Sequence, residues 1–225
     1  MCLCKTEIFE IYQLPNDDLV FFSPRQKPPR SIIVEQEFTA GAVIGDFRAL
    51  LDQPFYPIKF TDIVLFSNWL AQFGDLILHA SGIAYQGYGY CFAGQSGVGK
   101  STLVDHLIQN DGVSLLGEDQ IILRYLDGQF WIFGTPWHES PERCSPIGVP
   151  LEKIFFLQKQ GENVVQNISP FDGFTRLMQT AFIPYYRPEA VKAIMTTLTR
   201  LSETIPYKGL SFKLGTDPLD IILGD

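Results

Sequence analysis

Basic residues are scarce in this chain. Lys and Arg together number 17 against 25 Asp and Glu, a net charge of −8. An acidic surface repels phosphate backbones and anionic lipid, so neither nucleic acid nor a membrane surface is the expected partner. Charged residues of both signs make up only 19%, below the usual ~25%. Histidine occurs three times and cysteine four, as Cys2, Cys4, Cys91 and Cys144. Cys2 and Cys4 have no second pair and no nearby His, so a zinc site lacks ligands. Cys91 lies in an apolar run and reads as a small core residue. Reduced thiols and a cytoplasmic setting are the expectation. Lys5, Glu7 and Glu10 interrupt any apolar leader at the start of the sequence. No run approaches the ~20 apolar residues of a membrane helix. Repeats and low-complexity tracts are also missing, and the composition excludes a disordered chain, a collagen and a coiled coil.

What is present suits a buried core. Hydrophobic residues reach 46% and aromatics 13% of 225 positions. A chain of this length buries roughly 70% of its unfolded surface. Residues 8–14, 19–22 and 31–38 read as short strands, with a Pro-rich loop holding Pro24, Pro28 and Pro29. Thr61 and Asp62 start a helix with Ile63, Phe66, Leu70 and Phe73 at helical spacing, and Gly74 stops it. Residues 76–85 and 88–92 are strands joined by Gln86-Gly87, so the strand entering the next loop is expected to pair antiparallel with its predecessor. After that loop come a helix carrying Leu103, Val104, Leu107 and Ile108, a strand at 113–116, and a hairpin of 121–125 with 130–133 about Asp127-Gly128. A third hairpin is expected between 153–157 and 164–168. Two helices start at Pro170 and Pro188, and 208–214 reads as a last strand. The expected architecture is α/β, a mixed, largely antiparallel-paired sheet with about four helices. It forms a single unit over 1–225: a β-rich extension over 1–60 and a core over 61–225.

Gly94-Gln95-Ser96-Gly97-Val98-Gly99-Lys100-Ser101 fits G-x-x-x-x-G-K-[ST] between a strand and a helix. The glycines let the backbone approach phosphate oxygens. Successive N–H groups form an anion nest at a helix N-terminus. Lys100 is placed for the β- and γ-phosphates, and the Ser101 hydroxyl for Mg²⁺. With Thr102 these residues form the expected nucleoside triphosphate site. Glu118 and Asp119 end the apolar strand that follows. Together with Ser101 they are the candidate metal ligands, and one of them is the candidate base for an incoming hydroxyl.

Leu78-His79-Ala80-Ser81, the hairpin, the loop through Thr102, and Leu116-Gly117-Glu118-Asp119 together resemble the catalytic domain of bacterial HPr kinase/phosphorylase. The loop and acidic pair resemble ATP-dependent phosphoenolpyruvate carboxykinase more distantly. Gly134-Thr135-Pro136-Trp137 and residues 151–157 also look like HPr-kinase-like proteins found beside peptide-modification genes. The resemblance implies a mixed-sheet P-loop fold and Mg-ATP-dependent transfer to a serine hydroxyl. Asp119 matches one acid of the family's Asp pair, and Glu118 replaces the other. His79 matches a histidine near the reacting phosphate, followed here by Ala80 where the family has Gly. The signature that closes the HPr site is not recognisable. The catalytic set is therefore Asp119, Glu118, His79 and Lys100. Trp137 and its loop, with His138, Glu139, Glu142 and Arg143, offer surface for an acceptor. That acceptor is expected to be a peptide or small protein, with a small hydroxyl metabolite such as free serine as the alternative. Arg143 and Arg187 are candidates to neutralise the transferring phosphate. A nucleotide-binding regulatory module without transfer is the other reading, and assembly into a homo-oligomer is left open.

Overall fold

The computed structural model describes residues 1–24, 30–45, 61–137, 145–158, 162–213 and 215–224. Pro28, Pro29, His138, Glu139, Glu142, Arg143, Cys144, Gly161 and Leu214 lie outside the described residues. Fold class is as the sequence indicates: helices packed on mixed and antiparallel sheets.

The N-terminal extension is an antiparallel meander of β1 (Cys2–Lys5), β2 (Glu10–Gln13), β3 (Leu19–Ser23), β4 (Arg30–Val34) and β5 (Gly41–Gly45). Strict alternation of burial along β3 and β4 puts Leu19, Phe21, Ile32 and Val34 on one face with Ile11. That face packs against Val64 and Leu65 of α1 (Asp62–Ala71) and against Tyr186. β1 and β5 were not apparent from the sequence. Cys-Leu-Cys-Lys and Gly-Ala-Val-Ile-Gly are too short to show a period.

α1 is where expected, but its buried face differs. Asp62, Ser67, Asn68, Leu70 and Ala71 are buried, while Phe73 is 62% exposed beyond the helix end. Polar residues turn inward because each has a partner. Asn68 Oδ1 accepts from the Tyr186 hydroxyl, and Asp62 Oδ2 accepts from Trp137 Nε1 at 2.9 Å. The helix is fastened by hydrogen bonds as well as by apolar contact, and apolar spacing alone misplaces its face.

Two sheets share one long strand. β6 (Leu76–Leu78), β10 (Ile121–Leu126) and β11 (Gln129–Phe133) pair antiparallel, and β11 joins the first residues of β12 (Gly148–Gln158). Further along, β12 lies parallel to β8 (Tyr88–Ala93) and to β14 (Tyr207–Ser211). β7 (Ala80–Tyr85) pairs antiparallel with both β8 and β9 (Val113–Gly117). Both expected turns are present, with left-handed pairs at Gln86/Gly87 (φ 49°, 84°) and Asp127/Gly128 (φ 49°, 85°), the backbone a two-residue hairpin needs. Where β8 crosses Ile132 the sheets approach closely. A Cβ on Gly89 would lie 2.1 Å from Ile132 Cγ2.

The third hairpin does not form. β13 (Val164–Asn167) pairs with β14, and β14 separates it from β12. The burial pattern explains the order. Tyr207–Leu210 is buried throughout, as a central strand must be, while β13 is mostly exposed and suits an edge. Between them run α3 (Pro170–Thr180) and α4 (Pro188–Thr204), and a short α5 (Leu219–Leu223) follows β14. Phe92 and Phe155 stack at 5.6 Å between centroids, beneath Leu103, Val104 and Leu107 of α2 (Lys100–Leu107). Each such buried side chain contributes about 1.5–3 kcal/mol.

A buried pair offers a stability test. The Asp75 side chain, 5% exposed, accepts from Arg124 Nε at 2.6 Å. Burial pushes the Asp75 pKa up, with the Arg124 hydrogen bond and charge opposing it. Arg124→Leu should cost about 2–3 kcal/mol at neutral pH, because it leaves a buried carboxylate with only the Tyr125 main-chain hydrogen bond and no countercharge. A carboxyl with a raised native pKa loses stability as pH climbs past its unfolded value of about 4. The gap between variant and wild type should therefore narrow on acidification. Urea midpoints at pH 7 and pH 4 check this, and a gap that stays constant refutes it.

Candidate functional site

The segment expected as one strand over 76–85 is broken at His79. β6 ends at Leu78, β7 begins at Ala80, and the His79 N–H donates to Thr180 O at 2.8 Å. A bridge between Leu78 and Ala181 and a bond from Phe182 N to Ile77 O, 2.9 Å, fasten the end of α3 to this strand. The break leaves the His79 ring half-buried at the rim of the sheet.

β8 delivers the chain to the glycine loop, and Gly99 caps α2 in the left-handed region at φ 109°, with Gly97 at φ 75°. A Cβ at Gly99 would meet the Phe212 ring at 3.4 Å, an ordinary contact, so it is the positive φ that favours glycine there. Gly94 to Gly99 are partly or fully exposed, whereas Lys100 is only 7% exposed. Its ammonium folds back over the mouth of the loop. Lys100 Nζ donates to Gly94 O at 2.9 Å and Gln95 O at 3.3 Å, and lies 3.2 Å from His79 Nε2. Burial lowers the Lys100 pKa, and the Asp119 charge opposes that. The His79 pKa is lowered first by burial and then by the Lys100 charge. Asp119 opposes through its charge and through a hydrogen bond to its main chain. With Nε2 accepting from the ammonium, Nδ1 carries the proton given to the Asp119 main chain.

Asp119 thus acts on both Lys100 and His79, which places it across from the loop. The turn is held there by β9, which pairs Gly117 with Gly82, and by the buried Ser81, whose hydroxyl donates to Glu118 O. The Glu118 side chain is half-buried, and Asp119, Ser101 and Thr102 are exposed. Of the acidic pair, Asp119 is the one whose charge acts on Lys100 and His79 beside the glycine loop. Among the described residues no cluster of three or more His, Cys, Asp or Glu could hold a metal by itself. The oxygen donors present, the Ser101 hydroxyl with Asp119 and Glu118, suit a hard divalent cation that takes its other ligands from phosphate and water.

Arg187, a candidate for the phosphate, is elsewhere. Its Nη1 donates to Asn68 O at 3.0 Å and its guanidinium lies 5.1 Å from the Phe38 ring centroid, joining α4's start to α1 and the N-terminal sheet. Trp137 likewise turns to α1, its ring 5.6 Å from that of Phe66. The cleft beside the loop, about 670 Å³, is lined instead by His79, Gly94–Ser96, Phe156, Leu157 and the α3 residues Arg176, Gln179 and Thr180. The sequence reading missed this α3 wall. Its one local signal was a polar stripe at i, i+3 and i+4, and such a stripe ordinarily faces solvent.

The lowered His79 pKa has a sign that can be measured. Below about pH 6.5, the value of an unperturbed histidine, the unfolded chain binds a proton that the folded site resists. His79 therefore contributes a loss of stability as pH falls. His79→Gln should flatten the acid-side slope of stability between pH 7.5 and 5.5, read by urea denaturation. Parallel slopes for the two proteins would contradict the assignment.

No family model matches the chain, and no curated protein matches it. Among solved structures it is similar to the HPr(Ser) kinase/phosphatase from Coxiella burnetii, at 16% identity and a TM-score of 0.34, over 64% of this chain and 85% of that one.

Proposed function

We propose that the chain is a Mg-ATP-dependent kinase that transfers the γ-phosphate to a hydroxyl, serine being the leading acceptor. One observation carries the reading: Lys100, His79 and Asp119 converge at the mouth of a glycine-nest loop, on the edge of a cleft with room for a second substrate. The backbone N–H groups of 95–101 would hold the polyphosphate, helped by the N-terminus of α2. Lys100 would turn from the Gly94 and Gln95 carbonyls to the β- and γ-phosphates. Ser101 with Asp119 and Glu118 would hold Mg²⁺, which when bound neutralises charge on the phosphates. In the transfer, the acceptor oxygen bonds to the γ-phosphorus as the bond to the β–γ bridging oxygen breaks. ADP departs, and the hydroxyl proton passes to a carboxylate of the acidic pair. His79, kept neutral, fixes the Lys100 ammonium at the reacting end. Positioning and charge stabilisation supply most of the rate.

The test is incubation with Mg-ATP and candidate acceptors, read by mass spectrometry for a gain of one phosphoryl group. Nucleotide binding with no transfer to any hydroxyl compound, peptide or protein would favour the regulatory module.

A further inference from the structure

Lys100 marks the end of the loop where the terminal phosphate of a bound nucleotide would lie. Its ammonium sits against Gly94, Gln95 and His79, and all three line the cleft. The opposite wall is α3, fastened to the His79 strand through Thr180 and Ala181. On that helix Gly173 and Leu177 are buried. Arg176, Gln179 and Thr180, at i, i+3 and i+4 on this helix, line the cleft with the loop residues Gly94–Ser96. Arg176 is half-buried, its guanidinium 5.6 Å from the Phe156 ring centroid. Among the described residues it makes no ion pair or hydrogen bond. An arginine held beside a ring, with no hydrogen-bond partner among the described residues, is pre-organised for a planar oxyanion. The loop nest, Lys100 and the metal ligands already account for the polyphosphate. The cleft is also several times the volume of a phosphoryl group, so its far wall is the acceptor's.

We infer that Arg176 reads a carboxylate on the acceptor, so that the acceptor is a hydroxyl compound bearing a carboxylate near the reacting oxygen. This rests on the kinase reading above. Gln179 and Thr180 would accept or donate to the acceptor's remaining polar groups. Free serine and the C-terminal serine of a peptide share this chemistry.

Calorimetry on the protein loaded with Mg²⁺ and a non-hydrolysable ATP analogue tests it, with L-serine, L-serinamide and N-acetylglycyl-L-serine as probes. At least one carboxylate should bind. Serinamide should bind about 10–100-fold more weakly than L-serine if free serine is the source, as loss of a charged bidentate contact predicts. Binding of the dipeptide in preference to L-serine identifies the peptide terminus. Arg176→Gln should lose the carboxylate probe by the same factor, and Arg176→Lys should regain part of it. Both variants should keep nucleotide affinity within about threefold. If acid and amide bind alike, if no carboxylate binds, or if Arg176→Gln loses nucleotide in parallel, the inference is wrong. If the wild type takes no nucleotide, the kinase reading fails by itself. L-serine titrated into the nucleotide-free protein then decides Arg176: binding lost in Arg176→Gln sustains the anchor, and no binding removes it.

Discussion

Lys100→Met should lower phosphoryl transfer by about 10²–10³-fold and leave the folded protein as stable as before, or more so. The first half follows from removing an ammonium poised at the mouth of the loop, where negative charge would shift during transfer. The second half follows from the state of that ammonium in the folded chain. It is 7% exposed, and burial lowers its pKa. A lysine whose native pKa falls below its unfolded value opposes folding at any pH where it stays charged. Methionine keeps an unbranched stem and drops the charge. The carbonyls it abandons, of Gly94 and Gln95, belong to partly exposed residues that water can serve. Activity lost while the melting temperature holds or rises would identify Lys100 as a residue kept for function against stability. The His79 ring gives a third readout. Lys100 is one of the two influences lowering its pKa, so the His79 titration should move up in the variant. Transfer at the wild-type rate would remove Lys100 from the mechanism.

The parts of this site that were legible in the sequence are the local ones. A strand, five positions of loop, Gly99-Lys100-Ser101 and a helix are contiguous, and each link rests on near-neighbour physics: left-handed backbone at Gly97 and Gly99, and an apolar stripe at Leu103, Val104 and Leu107. The two Gly-containing hairpins were legible for the same reason. Asp119 could be placed because one helix and one strand have a fixed length, and they return the chain to the loop.

What was not legible depends on pairing across long separations. Nothing in 153–168 tells that β14, some forty residues on, will insert between β12 and β13. The break at His79 is set by Thr180 and Ala181, a hundred residues away. Without it, 76–85 is a continuous strand and α3 has no reason to border the cleft. Arg176 and Arg187 show the consequence. Both are arginines near helix starts or faces, and no local property separates them. Tertiary contact sends Arg187 to Asn68 and Phe38 and leaves Arg176 lining the cleft beside the glycine loop. Trp137 has the same kind of distant tie, since its partner Asp62 lies 75 positions earlier.

Asp119→Asn should reduce kcat by about 10²–10⁴-fold, the range for loss of a positioned base. The substitution is close to isosteric, and the backbone of the turn is held independently by Ser81 and by the pairing of Gly117 with Gly82. A rate loss will therefore report the charge. The neighbouring acid provides the contrast. Glu118 and Asp119 follow one another on one turn, yet only Asp119 raises the pKa values of both His79 and Lys100. Removing that charge should lower both further, so the His79 titration, followed by NMR, should move down in Asp119→Asn. It should stay in place in Glu118→Gln. This measurement needs no acceptor and no nucleotide, so it tests the geometry apart from the chemistry. A downward shift with lost transfer assigns Asp119 to the reacting centre. An unmoved His79 in Asp119→Asn would mean that the carboxylate faces away from the loop, and the hydroxyl proton would then fall to Glu118.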